Sequence, residues 1–172
     1  LIAGPSVAPV TCDLCDPDRY TALAADHDVY ILAALDSSQR RVELDRACVE
    51  NLLAVARDSG HRGVTRTFIY TSGVWVLGRT SRPATEEAEL APVEHVAWRP
   101  AHERLVLEGA GSGLRTIVVR PGIVYGGSRG IVSDLFRDAM KGLIRVATPQ
   151  APARAERTRF QNRCSKRAVT AT

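Results

Sequence analysis

Asp28-Val-Tyr-Ile-Leu-Ala-Ala-Leu35, then Arg41 to Ser59, then Thr65-Arg-Thr-Phe-Ile-Tyr-Thr-Ser72 form the stretch whose reading decides the fold. The first run is continuously apolar, which predicts a strand buried on both faces of a parallel sheet. In the second, Leu44, Cys48, Leu52 and Val55 recur at helical spacing, and Gly60 supplies the stop. The third is again apolar and strand-like. Strand, helix and strand in this order make a βαβ unit, joined by a right-handed crossover.

The alternation continues in both directions. Upstream, Val7 to Leu14 is β-prone, and Asp16 followed by Pro17 reads as an N-cap with proline at the first helical position, opening a helix to about Ala25. Downstream, a polar loop from Ser81 to Pro92 leads to a helix expected over His95 to Ala110, and Leu114 to Val119 is a further strand broken by Arg120-Pro121-Gly122. Ser128 to Gly142 reads as a helix with Ile131, Leu135, Phe136 and Ala139 turned inward. The fold class is α/β, a Rossmann-like parallel sheet with flanking helices, extending over residues 1–148.

Composition removes several function classes. The chain has 172 residues with 45% apolar content, enough for one domain with a core. No run of eighteen apolar residues and no basic leader with an apolar stretch occurs, so the expectation is a cytoplasmic protein without a membrane partner. The net charge of +4 is unevenly spread: residues 151–172 hold six basic residues against one acid, and the remainder 17 against 18. Residues 149–172 therefore read as a basic, disordered tail rather than a phosphate groove, and no nucleic-acid partner is expected. Cys12 and Cys15 form one Cys-x-x-Cys spacing. A structural zinc site needs a second half that is absent, so the expectation is reduced thiols and no metal.

In doubly wound sheets, ligands lie at the carboxyl ends of the strands, here Asp13-Leu14, Ala33-Ala34-Leu35, Thr71-Ser72-Gly73 and Pro121-Gly122-Ile123. Around these ends the residues resemble a family. Arg66-Thr-Phe-Ile-Tyr-Thr-Ser-Gly-Val-Trp-Val-Leu-Gly78, Val119-Arg-Pro-Gly-Ile-Val-Tyr-Gly126 and Cys12-Asp-Leu-Cys-Asp-Pro17 resemble, in order, strand and loop motifs of the NAD-dependent epimerase/dehydratase family, the extended or atypical short-chain dehydrogenases. The resemblance covers roughly residues 7–145. It implies NAD or NADP as cofactor, with Asp13 and Leu14 by the adenine, Ala33, Ala34 and Leu35 along the pyrophosphate and ribose, Thr71 and Ser72 at the nicotinamide, and Pro121, Gly122, Ile123 and Val124 over its amide.

The chemistry positions depart from that family. Its acid/base tyrosine falls at Trp98, and its lysine, four residues on, falls at His102. Its serine falls at Gly73, with Ser72 one step away on the other face of the strand. Indole N–H is no usable acid near neutrality. The candidate catalytic group is therefore His102, Ser72 and Trp98: His102 bonds a ribose hydroxyl or shuttles a proton, the plainer reading being a packed, half-exposed helix residue. Glu103 and Glu108 read as solvated helix charges. Gly126-Gly-Ser-Arg-Gly130 precedes a helix and can hold an anion, which makes Arg129 a substrate phosphate contact, the plainer reading being a loop with a serine cap.

The family's glycine-rich fingerprint has no counterpart here, so two strand-helix units, on the order of 60 residues, are expected before Leu1, and both ends read as truncation or frameshift. Without those units the Asp28 to Leu35 strand becomes an edge, which invites aggregation or pairing with another chain, a homodimer being the simplest case. Three functions stay open: an NAD(P)-dependent oxidoreductase acting on a nucleotide sugar or small hydroxy/keto compound, a non-catalytic NAD(P)-sensing or interaction protein, and an inactive fragment.

Overall fold

The computed structural model describes residues 8–58, 63–126, 130–145 and 157–159. It divides into two units, residues 1–122 and 123–172. In the first, α1 (Pro17–Ala24), β1 (Val29–Leu32), α2 (Arg41–Asp58), β2 (Arg66–Thr71), α3 (Arg99–Glu108) and β3 (Leu114–Val119) follow one another. The three strands form one sheet in the order β1-β2-β3, every pair parallel, with Tyr30 beside Phe68 and Tyr70 beside Val118. This is the Rossmann-like α/β arrangement expected from the alternation.

Local chemistry sets the ends of the elements. Asp16 caps α1, its carboxylate accepting the Arg19 N–H at 3.3 Å, and Pro17 opens the helix where a missing N–H costs nothing. The helix expected from His95 begins instead at Arg99, with Trp98 as its N-cap and Glu94–Val96 forming a separate 3-10 turn. The cause is Pro100. Deeper inside a helix its ring would clash with the carbonyl four residues back, so Pro100 fits only in the first turn.

Strand burial alternates. Tyr30, Leu32, Phe68, Tyr70 and Leu114 are buried against Cys48, Val49, Leu53 and Ala56 of α2 and Val106 of α3. On the opposite face Val29 is 52% and Ile31 65% exposed, and Ile117 and Val119 are exposed as well. The expectation that the β1 strand is buried on both faces is thus corrected. Two crossovers running in the same direction along the sheet leave α2 and α3 on one face, and burial follows that side only. β1 pairs only with β2 among the described residues and is an edge strand.

Three further expectations are corrected. The β-prone run to Leu14 forms no strand within Ala8–Leu14; it has no neighbouring ladder to join, and only Leu14 packs on the core. The inward side of α2 is rotated, so that Leu44, Asp45, Cys48, Val49, Leu53 and Ala56 are buried while Leu52 and Val55 are half-buried. Glu103 is not solvated: it is 2% exposed and grips Arg120 at 2.7 Å. In α3 the buried residues are Arg99, His102, Glu103 and Val106, a helical stripe made mostly of polar side chains. A reading that follows apolar periodicity passes over it.

Arg66, at the start of β2, is 3% exposed, and among the described residues no salt bridge holds it. Its guanidinium instead donates to the Tyr30 hydroxyl, to the carbonyl of Ala25 at the end of α1 and to that of Val55 in the last turn of α2. Helix carboxyl ends carry partial negative charge, so the buried cation is held by two helix termini at once.

The second unit holds α4 (Ile131–Met140), β4 (Leu143–Arg145) and β5 (Arg157–Arg159), β4 and β5 pairing antiparallel. β5 is the described part of the basic tail. α4 buries no residue: Ile131, Leu135, Phe136 and Ala139, expected inward, are exposed, because two three-residue strands offer too little surface to cover a helix face. Among the described residues, no helix is long and apolar enough to cross a membrane.

Candidate functional site

Backbone hydrogen bonds continue past the ends of β2 and β3. The Ser72 N–H donates to Val119 O at 2.8 Å and the Val74 N–H to Pro121 O at 3.1 Å. Thr71, Ser72, Gly73 and Pro121 are therefore held side by side at one end of the sheet. Gly73 is open: a Cβ there would meet only the Pro121 carbonyl, at 3.9 Å. Ser72 continues the buried side of β2, 8% exposed, and its hydroxyl has no partner. Gly122 is exposed, and in the second unit Ile123 and Val124 are 56% and 75% exposed. Arg129 lies outside the described residues.

At the end of β1, Ala33, Ala34 and Leu35 are exposed, and Asp36 turns the chain by accepting the Ser38 N–H at 2.7 Å. Bonds from the Ser38 hydroxyl and N–H hold the Asp36 carboxyl below its ordinary range. Beyond it opens a cavity of about 510 Å3 lined by Thr11, Cys12, Asp13, Leu14, Asp16, Arg19, Asp36 and Leu44. Asp13 shapes its rim, its carboxylate accepting the Cys15 N–H at 2.9 Å. Cys12, Cys15 and Cys48 are free thiols, and burial pushes the Cys48 thiol up. Among the described residues no three His, Cys, Asp or Glu are grouped to hold a metal ion.

The candidate catalytic residues are arranged less openly. His102 is 5% exposed, with Nδ1 2.7 Å from Asp45 Oδ2 on α2. The Tyr70 hydroxyl donates to the same oxygen at 2.8 Å, and Arg99 donates to the Tyr70 hydroxyl at 3.4 Å and to Thr71 O at 3.1 Å. Burial, followed by the nearby Asp45 carboxylate, drives the Tyr70 phenol far above its ordinary range. Trp98 meets His102 edge to face, ring centres 4.9 Å apart, and carries the Arg99 guanidinium over its ring at 4.7 Å. Its indole nitrogen is buried without a partner. A second cavity, of about 260 Å3, is lined by Arg46, Trp98, Ala101, His102, Arg104, Leu105 and Glu108. The structure thus brings Trp98 and His102 together, and separately Thr71, Ser72 and Pro121, with Arg99 stacked over Trp98 and donating to Thr71 O. Sequence reasoning missed Asp45, Tyr70 and Arg99. The one available signal was that Asp45 and Arg99 fall in register with the buried stripes of their helices.

No family model and no curated protein matches the chain. Solved structures do, among them the following two. RMD from Pseudomonas aeruginosa, complexed with NADPH, is 27% identical with a TM-score of 0.54, over 66% of this chain and 42% of that one. UDP-glucuronic acid 4-epimerase from Bacillus cereus, in complex with NAD, is 22% identical with a TM-score of 0.59, over 76% of this chain and 44% of that one. The chain matches less than half the length of either. The parallel sheet and its flanking helices give the chain the Rossmann-like fold of these two structures, each of which was solved with a nicotinamide dinucleotide bound.

Proposed function

We propose that the chain is part of an NAD(P)-dependent oxidoreductase of the epimerase/dehydratase type, whose substrate is a nucleotide sugar or a small hydroxy/keto compound. The observation that carries this reading is the cavity of about 510 Å3 beside the end of β1, with Asp13 and Leu14 in its lining. Crevices outside strand carboxyl ends are where doubly wound sheets take nucleotides. Carboxylates there accept hydrogen bonds from ribose hydroxyls and an adenine amine. Exposed Ala33 and Ala34 let a cofactor run close to the backbone towards Thr71, Ser72 and Pro121, where the nicotinamide would supply or accept a hydride.

Asp13, Asp16 and Asp36 face a single arginine, Arg19, in the cavity lining. An additional phosphate would be repelled there, so NAD is favoured over NADP. The test is thermal unfolding of the full chain with each cofactor. At a hundredfold excess over Kd, binding adds about 2.7 kcal/mol of stability. A larger shift with NAD supports both statements, an equal or larger shift with NADP removes the preference, and no shift with either removes the reading.

A further inference from the structure

The hydrogen bonds around Asp45 all run one way. Arg99 can only donate, and it donates to the Tyr70 hydroxyl; Tyr70 donates to Asp45 Oδ2; the His102 Nδ1 lies on that same oxygen. An ionised carboxylate is an acceptor only. The proton shared between His102 and Asp45 therefore sits on Nδ1, and neutral His102 is left with its lone pair on Nε2. The pair is buried, with side chains 6% and 3% exposed, and Trp98 and His102 line the same cavity of about 260 Å3. The titratable and charged groups facing the imidazole are Asp45 and Arg46 from α2, Tyr70 from β2, and Arg99, Arg104 and Glu108 from α3.

We infer that His102 takes and returns a proton at Nε2, with Asp45 as the positioning residue that fixes its tautomer. The inference rests on the oxidoreductase reading, in which Trp98 stands where an acid/base tyrosine is expected and another group must hold the proton. In the forward direction the O–H bond of a ligand hydroxyl breaks and an Nε2–H bond forms. The resulting imidazolium is balanced by the Asp45 carboxylate at 2.7 Å. The reverse direction returns the proton to the oxygen. Tyr70 cannot substitute for it, because its hydroxyl proton is already committed to Asp45.

The test needs no substrate. Long-range proton–nitrogen NMR of the histidine-labelled full chain should show neutral His102 as the Nδ1–H tautomer, and Asp45→Asn should convert it to a mixture. A neutral Nε2–H form in the unmodified chain overturns the inference whether or not the variant folds. Diethyl pyrocarbonate, small enough for the cavity, should modify His102 as read by peptide mass, with His102→Gln as the blank. Modification of other histidines, the exposed His27 and His95 among them, without His102 would mean that Nε2 is packed away, and the inference fails. Saturating NAD should slow the His102 reaction severalfold. If NAD raises the melting temperature but leaves that reaction unchanged, the pair lies away from the cofactor and the proton role is lost. If neither NAD nor NADP raises it, the cofactor reading fails by itself, while the tautomer and modification results still decide the state of the pair.

Discussion

The two faces of the same three-stranded sheet are built on opposite terms. The face under α2 and α3 encloses Asp45, Arg66, Arg99, His102 and Glu103 among its apolar side chains, five polar or charged residues each no more than 9% exposed. The other face presents Val29, Ile31, Ile117 and Val119 to the outside. Charged groups are thus buried among the apolar core side chains on one face while apolar ones stand exposed on the other, a departure from the usual partition on both sides. Each buried charge is tolerated because it has a partner: Glu103 has Arg120, Asp45 has Tyr70 and His102, and Arg66 has helix carbonyls. Such networks add little net stability over an apolar core, but breaking one is costly because it strands an unpaired charge. The polar side is thus specific and brittle, and the apolar side is undemanding.

Mutations should divide along that line. Glu103→Ala strands the Arg120 guanidinium, and Asp45→Ala leaves Tyr70 and His102 without an acceptor; each should cost about 3–5 kcal/mol in urea or thermal unfolding. A cost below about 1 kcal/mol would show that water satisfies the network, and the contrast between faces would collapse. Gly78→Ala should cost about 1–3 kcal/mol, since Gly78 sits at φ +65° and a Cβ there would come within 2.1 Å of the Ala91 carbonyl oxygen. Tyr70→Phe removes one hydrogen bond to Asp45 and should cost about 1–3 kcal/mol.

The smallest effect belongs to the open face. Ile31→Thr should change unfolding free energy by no more than about 0.5 kcal/mol, while reducing concentration-dependent light scattering, because the edge strand loses its most exposed apolar side chain. A loss as large as that of Glu103→Ala would mean that this face is covered in solution. A pH titration sharpens the same contrast. The Tyr70 phenol is held above its unfolded value, so it stays protonated in the folded chain where the unfolded chain has lost the proton. Its contribution is fully present below about pH 10 and declines as pH rises above that, by up to about 1.4 kcal/mol per pH unit. Tyr70→Phe should make the alkaline limb of the stability curve shallower, and an unchanged limb would place the effect in Tyr20 or Tyr30, which burial also raises.

Much of the fold was legible without coordinates. Asp16 and Pro17 announce α1; the apolar runs ending at Leu35 and Ser72 announce β1 and β2; Leu114 to Val119 is bounded as read. The strand-end residues Thr71, Ser72 and Pro121 were also marked in advance, because in a parallel sheet the register alone brings successive strand ends together. Pro100 was legible too, and a helix expected from His95 overlooked a residue that permits no such start.

The sequence alone determined the alternation of elements, the parallel sheet and where its strands end, because these follow from periodicity and backbone restriction within short windows. Only the tertiary structure decided which polar residues are buried. Asp45 and His102 are 57 positions apart, and Glu103 and Arg120 are 17 apart. A charge is stable inside only when its partner arrives from another element, and neither residue's own neighbourhood records that the other will come.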